Sequence, residues 1–381
     1  MSIPSSTDSP KDARLWMAQA LALANKGMAL AHPNPRVGAV VVKDGRKIGE
    51  GFHQYDRRDH AEVVALRAAG PHTKGATLYV TLEPCCHSGR TGPCTKAIID
   101  AGIKRIVAAT ADPNPLVAGK GFSQLRRAGI HVATAALEKE ARKLNEDFAR
   151  WIQTGLPFVT LKTALSLDGR IAERPGRCTS ITGAASREEV QLLRHRADAL
   201  LTGIGTVLAD DPRLTDRTGM PRRSRLLRAV VDSNLRIPLS SRLVKSAKDD
   251  VIVFTAEPSD SRQARALAAR GVEVFRVPAR RGRVDLRKVL VELGRRQMLN
   301  VLLEAGAELN GAALELDVVD KMILFYAPKL LGPAGVPMAL LKRAQLIPAL
   351  SNVSLRPCGS DFVVEGYLHD VYGHHRARRK N

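Results

Sequence analysis

The sequence predicts two consecutive α/β domains. Three observations carry this reading. Strand-like apolar runs alternate with helix-like segments along the chain, the pattern resets once near residue 150, and 381 residues exceed a single domain of ~150.

Residues 1–10 are polar and expected to fray. A helix is expected over 12–31, closed by His32-Pro33-Asn34-Pro35, where two prolines forbid its continuation. An apolar strand at 37–42 turns back through Asp44-Gly45 into a second strand at 47–49. The polar run 56–59 opens a helix over 60–69, followed by a strand at 76–82 and a cysteine-bearing loop with its own helix at 95–101. A strand at 103–110 and a helix at 121–128 continue the alternation, which implies a largely parallel sheet beyond the first hairpin.

A charged helix ends at Trp151, Gly155 and Pro157 break it, and a new strand begins at Phe158. The domains are therefore expected at 1–150 and 151–381. In the second, strands are expected at 158–164, 199–202, 228–232, 251–255, 272–277, 300–304, 321–326 and 361–367. Helices are expected at 185–197, 262–270, 285–296 and 307–314. The tail 374–381 is basic and reads as a solvated, disordered end. No internal repeat of solenoid period occurs.

Hydrophobic residues at 44% and charged residues at 25% are the composition of ordinary folded domains. Lys and Arg number 59 against 38 Asp and Glu, a net charge of +21, which draws nucleic acid, phosphorylated metabolites or an acidic membrane surface. Aromatic residues at 4% argue against a platform that stacks successive bases. No apolar run approaches the ~18 residues of a membrane span. Residues 15–24, after Lys11 and Arg14, have the outline of a signal-peptide core, but Gln19 interrupts it and the segment reads as the first helix. Five cysteines are too few for a disulfide framework, and the chain reads as cytoplasmic.

The sharpest chemistry lies in His60-Ala61-Glu62, Glu83-Pro84-Cys85 and Pro93-Cys94. One imidazole and two thiolates make three protein ligands, the open set of a catalytic zinc (Zn2+) rather than the closed four of a structural one. The fourth position would take water, whose pKa zinc brings towards neutrality. Glu62, two residues from His60, can carry that water's proton to a leaving amine. Cys94 opens a helix, where the dipole favours thiolate. Core cysteines beside a surface histidine and a capping glutamate are the bland alternative, which the order and context of all four residues outweigh. Cys86 adjoins Cys85 too closely for both to share one ion, and His87 and Arg90 are open to substrate contact or to solvent alone.

H-x-E followed by P-C and a second cysteine resembles the zinc-dependent cytidine and nucleobase deaminases. Deaminases of nucleic acid or free nucleosides typically carry about two residues between the cysteines, whereas eight intervene here. That long loop, within residues 81–94, and the segments 32–40 and 112–121 resemble the deaminase half of the bifunctional riboflavin-biosynthesis deaminase/reductase. The resemblance implies a cytidine-deaminase-like α/β/α domain with His60, Cys85 and Cys94 on zinc and Glu62 catalytic.

From its residues alone the second half offers no metal cluster and no adjacent nucleophile–base pair. Two glycine-bearing strand-to-helix turns, 202–206 and 304–312, admit backbone close to an anion. Neither is a G-x-G-x-x-G fingerprint, so plain β–α turns remain an equal reading. Segments 165–170, 190–194, 206–212 and 303–306 resemble the reductase half of the same family, which implies a dihydrofolate-reductase-like α/β domain that uses NADPH. By that resemblance Ala164, Ser180, Thr206, Asp210, Ser233, Gly306, Ala307, Glu308, Leu309, Asn310, Gly311 and Ala312 contact the cofactor. Cys178, Arg194, Leu214, Arg217 and Glu304 contact the substrate, and the two guanidinium groups suit a ribose phosphate. The family commonly has Trp where Ser180 stands, which removes a flat apolar wall.

The implied sequence of reactions is hydrolytic deamination of a phosphoribosylated diaminopyrimidinone, then NADPH-dependent reduction of its ribosyl group to ribityl. One alternative is a deaminase whose second domain only binds, motivated by Ser180. Another is a nucleic-acid-binding deaminase, motivated by the net charge and opposed by the cysteine spacing and scarce aromatics. A structural zinc module is weaker still, because three ligands and Glu62 leave an open site. The expected partner is a phosphoribosylated pyrimidine, without membrane or nucleic acid and with a homo-oligomer left open.

Overall fold

The computed structural model describes residues 10–134, 137–177, 179–280, 282–342 and 349–373; Cys178 and the basic tail lie outside them. The chain divides into two compact units, one of residues up to Thr154 with Pro221–Arg223, the other of Gly155–Met220 and Ser224–Gly373.

The first unit runs α1 (Pro10–Lys26), β1 (Gly38–Lys43), β2 (Arg46–Phe52), α2 (Ala61–Ala69), β3 (Thr77–Val80) and α3 (Cys94–Asp100). It continues through β4 (Arg105–Ala108), α4 (Lys120–Arg127), β5 (His131–Thr134), α5 (Glu138–Leu144) and α6 (Glu146–Thr154). The strands form one sheet in the order β2-β1-β3-β4-β5. β1 is antiparallel to β2 and β3, and β3, β4 and β5 are parallel, as expected beyond a hairpin. Ala39 and Val41 of β1 pack with Ala65, Ile98 and Leu125, whereas Val40 and Val42 pack with Met17, Ala20 and Ala141. The period of two thus feeds both faces of a covered sheet. Gly51 lets α2 lie directly on β2, because a Cβ there would stand 2.6 Å from the Ala61 carbonyl oxygen.

Two elements differ from expectation. The first helix stops at Lys26 rather than residue 31: the Gly27 N–H bonds the Ala24 carbonyl, and Ala29 takes a left-handed φ of 56°. β5 went unread because its four residues are half-exposed or exposed, so no apolar alternation marks it.

The second unit opens with β6 (Phe158–Ser166), β7 (Arg170–Ala172), α7 (Ala184–Arg196), β8 (Ala199–Gly203), α8 (Ile204–Asp210) and β9 (Leu227–Val231). Then come α9 (Arg242–Lys245), β10 (Val251–Thr255), α10 (Arg262–Ala268), β11 (Val272–Arg276), β12 (Ala279–Arg280), β13 (Arg283–Val284) and α11 (Leu286–Arg295). β14 (Asn300–Leu303), α12 (Ala307–Glu315), β15 (Lys321–Ala327), β16 (Val336–Pro337), β17 (Ser351–Cys358) and β18 (Asp361–Tyr367) close it. The main sheet has nine strands in the order β11-β10-β9-β8-β14-β6-β15-β18-β17. All neighbours are parallel up to β15, and β18 and β17 are added antiparallel. β17 escaped the sequence reading because nearly every residue in it is exposed, so neither period shows. After β8 the chain moves to one side of the sheet, and after β14 to the other. Loops at the carboxyl ends of this pair diverge, and such a point is where open parallel sheets take ligands.

Candidate functional site

In the first unit three chain segments meet. His60 is the residue that caps α2, Cys94 is the first residue of α3, and Cys85 sits in the loop that leaves β3. The Cys94 N–H donates to the Cys85 sulfur at 3.4 Å, and the Thr95 N–H to the Cys85 carbonyl at 3.1 Å. His60 Nδ1 lies 3.2 Å from Cys94 Sγ and 3.5 Å from Cys85 Sγ. The three ligand atoms all fall within 4.8 Å of one another, the one such group among the described residues, and Cys86 is not part of it. An N/S/S set this compact fits the tetrahedral preference and bond lengths of zinc.

The electrostatics favour the thiolate on Cys85 over Cys94, the residue at the helix start. The Cys94 thiol donates to Cys85 and, against burial, brings the Cys85 pKa down to about 4; His60 adds to this. The same bond, with burial, pushes Cys94 up. The hydrogen bond to Cys85 raises His60 against its burial. Glu62 is only 3% exposed, and burial lifts its carboxyl to about 7 although His60 opposes the shift. A buried carboxyl of this kind beside the ligands suits proton transfer near neutral pH.

A second buried carboxylate organises the wall. Glu83 Oε2 accepts the N–H groups of Asp112 (3.1 Å) and Gly119 (2.9 Å), and Oε1 accepts that of Phe122 (3.1 Å). The loop 112–122 is thereby strapped against the Glu83-Pro84 segment. Asp112 on that loop is pushed up to about 6 by burial, with Glu83's charge adding. Gly121 is required by contact: a Cβ there would stand 2.2 Å from the Pro84 carbonyl oxygen. Gly121→Ala should therefore lift the loop, costing about 1–3 kcal/mol in thermal unfolding and most of the deaminase activity; wild-type activity and melting would refute the strap.

His53 is also buried. Its Nδ1 lies 3.0 Å from the Asp59 carbonyl and its Nε2 3.0 Å from the Asn34 side-chain nitrogen, while its ring meets that of His60 edge-on at 5.2 Å. Burial lowers its pKa. The Arg90 guanidinium stacks on the Tyr55 ring at 4.0 Å.

In the second unit Arg194 and Glu304 form a two-pronged pair, Nε–Oε1 2.8 Å and Nη2–Oε2 2.9 Å. Lys162 Nζ on β6 lies 3.5 Å from Glu304 Oε2, and Arg194 Nη1 donates to the Thr215 carbonyl at 3.2 Å. Burial alone would raise Glu304, but Lys162 and Arg194 hold it down to about 2. Leu214 turns its side chain into the core at a left-handed φ of 55°, whereas Arg217 is exposed and its N–H donates to Gln191 Oε1 at 3.0 Å. Cys178 lies outside the described residues.

The residues implied as cofactor contacts are spread along the carboxyl edge. Ala164 is on β6, Thr206 and Asp210 are on α8 after β8, Ser233 follows β9, and Gly306 caps α12 after β14. A Cβ on Gly306 would lie 3.9 Å from Thr206 Oγ1, so these two starts face each other. Ser233 Oγ accepts the Val284 N–H at 3.0 Å. Ala307, Glu308, Leu309, Asn310, Gly311 and Ala312 build the first turns of α12; Glu308 pairs with Arg283 at 2.9 Å. Asn310 is fully buried and its amide donates to the carbonyls of Ala305 and Met338. Ser180, ahead of α7, is exposed and its carbonyl accepts from Lys329. Among the described residues the Thr202 hydroxyl and the Asn310 Oδ1 are buried without a hydrogen-bond partner, polar atoms suited to a ligand at this edge. The divergent edge, its two glycine-led turns and these unpaired atoms fit a nicotinamide dinucleotide.

Sequence reasoning gave no individual role to Lys162, Glu83, Asp112, His53 and Asn34. A lysine inside the apolar run 158–165 and a glutamate between Leu82 and Pro84 were signals of buried charge; the other three carry none.

Comparison with known proteins gives a consistent result. The cytidine and deoxycytidylate deaminase zinc-binding region matches residues 10–110, and the RibD C-terminal domain matches residues 157–364. The riboflavin biosynthesis protein RibD of Escherichia coli is 44% identical over 328 residues, covering 83% of this chain and 88% of that protein. RibD of Aquifex aeolicus is 43% identical over 317 residues, covering 83% and 87%. The solved structure of Acinetobacter baumannii RibD, form 1, superposes with a TM-score of 0.84 at 39% identity, covering 94% of this chain and 99% of that one. The Thermotoga maritima diaminohydroxyphosphoribosylaminopyrimidine deaminase/5-amino-6-(5-phosphoribosylamino)uracil reductase superposes with a TM-score of 0.81 at 36% identity, covering 94% and 99%. Among the described residues no helix is long and apolar enough to cross a membrane.

Proposed function

This chain belongs to the RibD family of bifunctional riboflavin-biosynthesis enzymes, with a hydrolytic deaminase domain followed by a reductase domain, and on that premise we propose its substrates and the residues that act on them. It deaminates 2,5-diamino-6-(5-phosphoribosylamino)pyrimidin-4(3H)-one and then reduces the ribosyl group of the product to ribityl with NADPH. The observation that carries the first half is the convergence of His60, Cys85 and Cys94 with the buried Glu62 beside them.

Zinc, which His60, Cys85 and Cys94 would hold, would supply the Lewis acidity that brings the pKa of water towards neutrality. Glu62 takes a proton from that water and returns it to the 2-amino nitrogen, which leaves as ammonia while the ring carbon gains oxygen. Glu83 holds the 112–122 segment against the turn that leads into Cys85. NADPH bound along the carboxyl edge of the second unit would supply hydride chemistry at C1 of the ribosyl group, whose C1–ring-oxygen bond opens as that oxygen takes a proton, and the protein would contribute orientation and charge. The start of α12 offers backbone N–H groups to the cofactor's phosphates, and Arg217 presents its guanidinium to the substrate's phosphate. Arg194 and Lys162 both pair with Glu304, and the Asp216 carboxylate also acts on Arg194, so these two cations are already compensated.

The test is mass-spectrometric product analysis after the purified, zinc-loaded protein meets the phosphoribosylated diaminopyrimidinone. Deaminated product without NADPH and ribityl product with it are expected. Deamination that stops there despite NADPH would reduce the second unit to a binding role, and no turnover at all would overturn the reading.

A further inference from the structure

His195 lies between two features already described and belongs to neither. It is 2% exposed near the end of α7, adjacent to Arg194, and its Nδ1 sits 2.8 Å from Asp216 Oδ2. The other carboxylate oxygen, Oδ1, accepts the Thr218 N–H at 3.0 Å and the Thr218 hydroxyl at 2.8 Å. Gln191, Arg194 and His195 stand at i, i+3 and i+4, one face of the helix. In turn they bind the Arg217 N–H (3.0 Å), the Thr215 carbonyl (3.2 Å) and the Asp216 carboxylate. One helix face therefore grips three consecutive residues of the loop.

Asp216 matters because it precedes Arg217. The carboxylate is held below its usual range, against burial, by the Thr218 N–H and by the side chains of His195 and Thr218. A carboxylate next in sequence to an arginine is the nearest competitor for that guanidinium, and a salt bridge between them would exclude an external anion. Here both carboxylate oxygens are engaged elsewhere, and among the described residues no carboxylate pairs with Arg217. We propose that His195 is a positioning residue for the phosphate end of the reductase substrate: by holding Asp216 against α7 it fixes the loop 214–218 and keeps Arg217 available to a phosphate monoester. This rests on the reading of Arg217 as the phosphate ligand.

The experiment measures NADPH oxidation by the full-length protein with the phosphoribosylated aminouracil and, separately, with its dephosphorylated riboside. His195→Leu should raise KM for the phosphorylated substrate about tenfold, with kcat and the KM for the riboside held within about twofold. His195→Asn, whose amide nitrogen can occupy the Nδ1 position, should restore most of the loss. Arg217→Ala should erase the preference for the phosphorylated substrate. Equal changes in kcat and in both KM values, or failure of His195→Asn to rescue at normal melting temperature, would show a merely structural role and overturn the proposal. An Arg217→Ala protein that keeps its phosphate preference would instead remove the underlying reading. Should His195→Leu not fold, His195→Ala removes the same clasp with less bulk and carries the test, with the same rise in KM expected and an unchanged KM counting against the proposal.

Discussion

Replacing Glu62 by Gln is expected to slow deamination by ~10²–10⁴-fold while zinc content stays at the wild-type level. Glutamine keeps the shape of a side chain that is 3% exposed and so keeps the packing at the start of α2, but it cannot take up a proton from water. Cys85→Ser and Cys94→Ser provide the contrast. They remove a soft ligand from a three-ligand set and should lose metal and activity together. Ammonia release and metal content, measured on the same preparations, separate the two failures. All three variants should still reduce the deaminated substrate at the normal rate, because their changes are confined to the first unit. Wild-type deamination by a zinc-loaded Glu62→Gln protein would mean that the proton travels by another group.

Glu304→Gln should strongly destabilise the second unit. It leaves Arg194 and Lys162 facing each other with no negative charge between them, at side-chain exposures of 12% each. Removing one partner of a buried pair costs about 3–5 kcal/mol. The pH dependence has a definite sign. Glu304 is held down to about 2 in the fold against an ordinary 4.5, so its contribution is fully present above the unfolded value and is lost as pH falls from 4.5 towards 2. Urea unfolding of the variant should accordingly show its full deficit at neutral pH and a shrinking one in acid. A constant deficit through that window would assign the loss to packing instead of charge. Reduction should fail in this variant while deamination continues.

The metal set was legible because it rests on residue type and local order: a histidine and a glutamate two apart at a helix start, and two cysteines each preceded by proline. What surrounds it was not. Glu83 binds backbone groups 29, 36 and 39 residues away, and backbone N–H groups look alike in every sequence. His53 and Asn34 meet only because the turn at 32–35 returns past the end of β2. In the second unit Arg194 and Glu304 were named through resemblance, but their direct pairing across 110 residues, with Lys162 as third member, was not visible in either segment. Leu214 was likewise named through resemblance, and the packing of its side chain in the core was not visible in its segment.

The amino-acid sequence by itself determined the alternation of strands and helices, the break between two α/β units, the candidate metal ligands with a carboxyl two residues from the histidine, and the family. These follow from periodicity, turn chemistry and residue type, which act over a few positions at a time. The tertiary structure decided which charges became neighbours: the Glu304 cluster, the Glu83 strap and the His195–Asp216 clasp. Each is a contact between segments that only the packing of sheet and helices brings together, and burial then sets its strength by removing the water that would screen it.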